Sequence, residues 1–556
     1  MFKFYHLILI FTVSLFLSGQ IFAQSRDVEE QLIRVGISTN DFSALEYSSV
    51  RVSADSTFYI VDLSNENRLV KALSGAVYTI SVNSKGFNVA INGSVLFSSV
   101  CGPIGISSPG GHVKLVDVSR KGKTAAYRGN IEVVRASSSL DKISVVNVLP
   151  MDQYLKGVVP NELPVSFGFE ALKAQAVAAR NYAVRPREKP YPQFDICDSV
   201  MCQVYFGYYT ENTLSNSAVE ETAGLVALHK GEVITALYSS APGGFSGSYE
   251  NAFSDPQSKD FPSESKPYLV AKSDNQAFSD LSSEEMARKF YTSSPASYDV
   301  KSSYYRWNRS WTGSELEKVL NMNLAKFSNA KDSAPFVKPA FGKTSSVGKL
   351  RDIKVLRRCK SGKAMELQIT GTNGTWVVQK ELNIRRILTS AGKALPSANI
   401  VIDLYKDSSG IITQVKLFGG GFGHGVGMSQ YGASYMSSKG FSFDKILQHY
   451  YTGIAIGTIP VLLYKNEFMT PIKQEFYSPK GQAILWYENE GVSTITIKIN
   501  GKDLVLNENN GYSSKKSVDI SSYIHKGLND IVYYPPASEE DEGLSVKLWI
   551  ELEKAR

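Results

Sequence analysis

From Ile33 to about Asn147 the chain alternates apolar and polar residues in short runs. Arg34-Val35-Gly36-Ile37-Ser38, Thr57 to Val61, Val77 to Val82, Phe87 to Ile91 and Asn130 to Val134 show period two or β-branched enrichment, with Gly, Ser and Asn clusters between them. A period of two sends successive side chains to opposite faces, so this stretch predicts half-buried strands. The period lengthens after Pro150. A helix is predicted over Met151 to Val159 and stopped by Pro160. A second is predicted over Phe169 to Tyr182, where Phe169, Leu172, Ala176 and Ala179 recur at helical spacing and Glu170 sits in the first turn, favourable for the helix dipole.

Residues 251–345 are rich in Ser, Lys and Pro, with helical stretches near Ser282 to Phe290 and Ser314 to Leu324, and they read as an insertion. Strands resume at Leu350 to Leu356, Ala364 to Ile369, Trp376 to Gln379 and Ile411 to Leu417. A glycine-dense loop follows, then helix-like Met428 to Ser438 and Phe443 to Tyr450. Past a boundary at 457–475 the pattern is all β, with Asn500-Gly501 as a two-residue hairpin turn between Thr494 to Ile499 and Asp503 to Leu506. The fold class expected is therefore α+β: a mixed core over 24–457, β-rich at 33–147, followed by a sandwich-like β domain over 475–556.

A chain of 556 residues holds several domains, and 43% hydrophobic with 20% charged residues is the composition of ordinary packed cores. The 60 Lys+Arg against 53 Asp+Glu leave +7, spread with no basic run to track a phosphate backbone, so no nucleic-acid partner is expected. Lys3, the apolar run Leu7 to Leu17 and Ile21-Phe22-Ala23 before Gln24 have the three parts of a secretory signal over residues 1–23. Export to the periplasm or cell surface follows, and no later apolar run is long enough for a transmembrane anchor. In an oxidising compartment thiols pair, which bears on Cys101, Cys197, Cys202 and Cys359.

Three segments carry candidate chemistry. In the first, Glu162 stands between Pro160 and Pro164, ahead of a helix carrying Lys173 and Arg180. A carboxyl held on an irregular turn is open to burial that raises its pKa for acid catalysis; a carboxyl that merely caps a turn is the alternative. Lys173 and Arg180 lie two helical turns apart, on one face. The second segment pairs Cys197 with Cys202 and continues to Gln203, then Tyr238-Ser239-Ser240-Ala241-Pro242-Gly243-Gly244. Two cysteines with four residues between them make half a zinc site at most, so a local disulfide is expected. The serine turn lacks the flanking glycines of a nucleophile elbow and reads as a turn or a hydroxyl-lined ligand rim. The third is Gly419 to Ala433, where His424 sits among glycines ahead of Ser429 and Gln430. It has no phosphate-binding glycine register, and its glycines let backbone approach closely.

Together these segments resemble the SpoIID/LytB family of bacterial cell-wall proteins. "VVPNELP…EALKAQAVAAR", "CQVYFG", "YSSAPGG" and "GFGHGVGMSQYGA" followed by "ILQHYYTG" occur in the family's order over roughly residues 33–457. The resemblance implies a mixed core whose catalytic segments are 148–250 and 411–453. It also implies an enzyme on peptidoglycan glycan strands: a lytic transglycosylase on peptide-stripped strands with Glu162 as the single acid/base and Arg180 supporting activity. A non-catalytic amidase enhancer, with a cell-wall amidase as partner, is the other branch. Lys173, Gln203, Tyr238, Ser239, Ser240, His424, Ser429 and Gln430 are expected along the groove, and Arg180 is expected to face substrate rather than pair with Glu162. Some members hold zinc through the paired cysteines with a histidine; here Met201 stands where that histidine often does, so no cofactor is expected. A polysaccharide-binding surface protein dominated by residues 475–556 is a third reading.

Overall fold

Residues 32–150 stack two antiparallel sheets in the computed structural model, which describes residues 32–184, 191–458, 461–466, 472–478, 481–492, 494–507, 512–534 and 545–552. One sheet runs Leu32–Ile37, Ile143–Pro150, Asn130–Arg135, Ile104–Ser107, Phe58–Asp62, Asn67–Ala72, and takes Ile196–Cys197 as a short parallel edge beside Leu32–Ile37. The other runs Lys123–Tyr127, Val113–Arg120, Ser49–Ala54, Tyr78–Asn83, Gly86–Ile91, Ser94–Val100. The alternation seen in the sequence is the reason. Val50 and Val52 of one sheet and Ile104, Ile106, Ile131 and Val133 of the other turn inward into one core. The expected leader over residues 1–23 lies outside the described residues.

Helices α1 (Met151–Glu162), α2 (Phe169–Val184) and α3 (Thr213–Glu221) extend that core with Tyr154, Leu155, Val158, Leu172, Ala176 and Ala179. Helix α1 runs past Pro160, where the sequence predicted a stop, and ends on Glu162. A proline so near the C-terminal end removes a single backbone donor. The Leu163 amide still closes on the Val159 carbonyl at 2.9 Å and the Asn161 side chain covers the Gly157 carbonyl at 2.7 Å. Glu162 thus sits on a regular last turn rather than an irregular one.

Next come α4 (Glu284–Tyr291), α5 (Gly313–Ser328) and α6 (Glu381–Ile387). The inserted unit is larger than its composition suggested. Trp307, Trp311, Leu316, Leu320, Leu367, Ile369, Trp376, Val378 and Leu417 share a core separate from that of the helices. The strands read from the sequence at 350–379 and 411–417 belong to this unit, together with Ile400–Lys406, which the sequence did not mark: 350–379 form one sheet, 400–419 pair with Trp307–Thr312 in another, and the two share the core. Serine- and lysine-rich composition marks only the surface-rich first half. The chain then returns as α7 (Gln430–Ser438) and α8 (Phe443–Tyr450), packed on α2.

The last domain consists of two four-stranded antiparallel sheets over the core Leu485, Ile495, Ile497, Ile499, Val546, Leu548 and Ile550. It begins earlier than residue 475: Val461–Asn466 pairs with Ser545–Leu552. Asn500 and Gly501, at φ 49° and 80°, form the left-handed pair that a two-residue hairpin needs. Among the described residues no helix is long and apolar enough to cross a membrane.

Candidate active site

Glu162 is the centre of the site. It is partly buried at the C-terminal end of α1, where helix dipoles disfavour negative charge. Its Oε1 accepts one hydrogen bond, from the Val204 amide at 2.7 Å. Burial outweighs that bond and pushes the carboxyl up to about 7. Among the described residues no cation forms an ion pair with it.

The surroundings are polar and neutral. The Tyr238 hydroxyl lies close enough for the Glu162 charge to add to burial in holding the phenol protonated. That hydroxyl accepts from Gln203 Nε2 at 3.0 Å. Gln430 Nε2 donates to the Glu162 backbone carbonyl at 2.8 Å, joining the third sequence segment to the first.

Backbone pairing brings the second and third segments together. Tyr238–Ser239 runs parallel to Met428–Ser429, and Ala241 pairs with Phe422. Glycine is required at the closest approaches: a Cβ on Gly427 (φ 74°) would lie 2.0 Å from the Leu237 carbonyl oxygen, and one on Gly421 (φ 88°) 2.6 Å from that of Ala241. Ser429 caps α7 by accepting from the Gly432 amide at 3.0 Å. The Ser240 carbonyl accepts the Tyr431 amide at 3.1 Å, and Ser239 is buried against Gly423.

His424, expected along the groove, is half-buried and held against the backbone of its own loop. Its Nδ1 accepts the Val426 amide at 3.1 Å, which fixes its proton on Nε2. Burial, with Lys363 and Arg385 nearby, pushes the imidazole down to about 3, so it is neutral near pH 7. Lys363, itself buried, donates to the His424 carbonyl and locks the glycine loop to the inserted unit.

Three of the residues expected along the groove are committed to partners within the protein. Gln203 is fully buried and its amide is spent on Tyr154, Ala179 and Tyr238, so it supports the site without lining it. Arg180 does not face substrate. It is 1% exposed, paired with Asp152 at 2.7 Å and donating to the Leu225 carbonyl at 2.9 Å. Lys173 bridges Glu170 at 2.9 Å and Glu221 at 2.7 Å, tying α2 to α3. The shared helical face of Lys173 and Arg180 is real, but it packs against protein. The Val204 amide is announced by no residue type, and Tyr154 and Lys363 look in the sequence like ordinary core and surface residues.

Cys197 and Cys202 are joined in a disulfide with Cα atoms 5.5 Å apart, whereas Cys101 and Cys359 are free. Both sulfurs of the pair are thus committed to each other, and among the described residues no three His, Cys, Asp or Glu side chains cluster. Inside the loop Asp198 pairs with Arg120 at 2.7 Å and accepts from Ser38 at 2.5 Å, pinning the turn to the N-terminal sandwich.

The family model described as "Stage II sporulation protein" (SpoIID) matches residues 139–229, the stretch holding Glu162, Val204 and the disulfide. The chain belongs to the SpoIID family. It is similar to the amidase enhancer of Bacillus subtilis (strain 168), 31% identical over 308 residues, 54% of this chain and 40% of that protein. It is also similar to an uncharacterised protein of Brachyspira hyodysenteriae, 30% identical over 57% of this chain and 69% of that protein. Stage II sporulation protein D of Bacillus subtilis (strain 168) is 28% identical over 58% of this chain and 78% of that protein. These relationships support a cell-wall-related role. A second family model, described as a domain of unknown function (DUF8618), matches residues 256–427 of this SpoIID-family chain, close to the limits of the inserted unit.

Proposed function

We propose that the protein is a lytic transglycosylase that cleaves peptidoglycan glycan strands, with Glu162 as its only proton-transfer group. The observation carrying this reading is the lone Glu162 carboxyl, pushed up to about 7 and facing no cation among the described residues. An ordinary glycosidase needs two carboxyl groups, one as acid and one to attack or to activate water. A transglycosylase needs one, because the C6 hydroxyl of the sugar being cut attacks its own anomeric carbon. Glu162 gives its proton to the departing glycosidic oxygen as the C1–O bond breaks. Its carboxylate then takes the proton of the C6 hydroxyl as the new C1–O6 bond forms. The products are a 1,6-anhydro end and a free hydroxyl end, and Glu162 returns to its acid form. A carboxyl titrating near 7 is matched to both halves. The Val204 amide steadies the anion between them, and the protonated Tyr238 hydroxyl offers a donor beside it.

The test is mass spectrometry of products from peptide-stripped strands and from intact sacculi. Anhydro ends that vanish with Glu162→Gln support the reading; hydrated reducing ends would make the protein a hydrolase. The second reading, a non-catalytic enhancer of a cell-wall amidase, is favoured by the Bacillus subtilis relative of that name. It requires no release of fragments by the protein alone and a rise in amidase turnover on its addition.

A further inference from the structure

The backbone that holds Glu162 continues as a ribbon pinned at two points to the same end of α1. The Val204 amide donates to Glu162 at 2.7 Å, and Asn161 Nδ2 donates to Thr210 Oγ1 at 2.7 Å. Along the ribbon Gln203, Tyr205 and Gly207 are buried, while Val204, Phe206 and Tyr208 are partly open and Tyr209 is 39% exposed. Tyr205 lies under Gly157, where a Cβ would come within 2.5 Å of its ring. A Cβ on Gly207 would lie 2.4 Å from the Ala126 carbonyl oxygen, so the ribbon lies flat on the sandwich.

The open side chains form an aromatic row. Phe206 meets Phe42, itself 39% exposed, at 5.8 Å between ring centroids, and Tyr208 lies 5.6 Å from Tyr209. Tyr208 is taken up by the protein, stacked on His112 at 3.6 Å with Arg128 4.9 Å from its ring, while Phe42, with Arg120 over it at 4.4 Å, Phe206 and Tyr209 stay open in one place, more than scattered surface apolar residues. Beside them the hairpin turn Lys121-Gly122 projects Lys121 and Lys123 at the row, their ammonium groups 5.6 Å from the Phe206 and Tyr209 rings. Lys121 adopts φ 48°, a left-handed position where Asn, Asp or Gly is usual, so a lysine is held there against backbone preference. The arginines nearby are spent, Arg120 on Asp198 and Arg128 on Glu211. Lys121 and Lys123 form no ion pair among the described residues.

We infer that Phe42, Phe206 and Tyr209 with Lys121 and Lys123 are an extended subsite for a carboxylate-bearing polysaccharide strand leaving the Glu162 site. The rings take the apolar faces of successive sugars and the two ammonium groups take their acidic substituents. Continuity with the site and charge complementarity select this occupant. The inference rests on the proposed glycan-cleaving function and adds to it a binding direction and a demand for anionic substituents.

The experiment measures binding of soluble peptidoglycan strands of several disaccharides to the full-length Glu162→Gln protein, with and without carbodiimide-masked carboxylates. Added Phe206→Ala and Tyr209→Ser changes should weaken binding about tenfold at all salt concentrations, since apolar contact is not screened. Lys121→Gln with Lys123→Gln should weaken it several-fold at low salt only, and the masked strand should be insensitive to that change. Both lysines are exposed, so this second variant keeps the test clear of folding defects. Equal binding by all variants would overturn the subsite while leaving the proposed function standing. No binding of any strand by the Glu162→Gln protein would count against the function and remove the subsite with it. Lysine effects that persist on the masked strand would overturn the anionic part of the inference.

Discussion

Helix α1 carries a carboxylate near each end, and the two are treated in opposite ways. Asp152 is in the first turn, where backbone dipoles favour a negative charge, and Arg180 reaches it at 2.7 Å from a buried position on α2. Glu162 is the last residue, where the dipoles oppose a negative charge, with one amide hydrogen bond and no paired cation among the described residues. The first carboxylate is half of a structural lock between α1 and α2. The second is kept costly to ionise, which an acid catalyst requires and a structural residue does not. The difference also separates the surroundings of Glu162 and Arg180, which the family resemblance grouped as activity residues.

The two ends of α1 should differ most in what an amide substitution does to turnover. Glu162→Gln keeps the shape and removes the transferable proton, and anhydro-product formation should fall about 10²–10⁴-fold, because positioned acid–base catalysis contributes on that order. Asp152→Asn should change turnover little when rates are compared per folded molecule. Equal losses at both ends would erase the distinction.

Glu162 should also titrate above the usual carboxylate range. A folded pKa raised from 4.5 to about 7 means the folded state holds its proton more tightly than the unfolded chain. The associated stability is fully present below pH 4.5 and is lost as pH rises through 7, by roughly 3 kcal/mol for a shift of this size. Denaturant unfolding of the wild type relative to Glu162→Gln, followed from pH 4.5 to 8.5, should show that loss in the wild type alone. The initial rate on stripped strands should fall over the same upper range as the acid form is depleted.

What was legible in the sequence follows physical rules that act locally. Period two marked the sandwich strands because one face of each is buried. Asn500-Gly501 announced its hairpin because few other pairs accept two left-handed residues. Glu162 was found by the blocks around it. The rest depended on contacts distant in sequence. Nothing at Arg180 says that Asp152 waits 28 positions away, nor at Gln203 that Tyr154 and Tyr238 will use up its amide. A basic residue read as facing substrate and one buried in an ion pair have the same letter and the same helical phase. The limit of the inserted unit was hidden similarly, since its later strands look like those of any antiparallel sheet, and only the pairing of Ile412–Gly419 with Trp307–Thr312 and the core that 350–379 share with Trp307 and Trp311 assign them.

At the other end of α1, Arg180→Met should cost about 2–3 kcal/mol of stability. Breaking a buried pair costs 3–5 kcal/mol, but Asp152, at 34% side-chain exposure, can recover part of its hydration. The double change Asp152→Asn with Arg180→Met should regain part of that loss, since no uncompensated charge remains. The pH dependence of turnover in either variant should match the wild type, because the pair does not face Glu162. A shifted pH profile in the folded Arg180→Met protein would show that the two ends are coupled.

The smallest effect belongs to the disulfide, which acts on Glu162 only through the ribbon it anchors. Cys197 and Cys202 close a short loop two residues before Val204, and the buried Asp198 inside it is already held by Arg120 and Ser38. The entropy removed from the unfolded chain by so short a loop is worth roughly 2 kcal/mol, less than for a 15-residue loop. Cys197→Ser with Cys202→Ser should therefore lower stability by no more than that. Because the Val204 amide hydrogen-bonds the ionised form of Glu162, loosening it should move the alkaline limb of the pH–rate profile slightly upward. Unfolding of the reduced wild type and of the double variant should agree, and the shift in the rate profile should appear in both. A profile that moves downward would mean that the disulfide keeps a proton donor away from Glu162, rather than holding one against it.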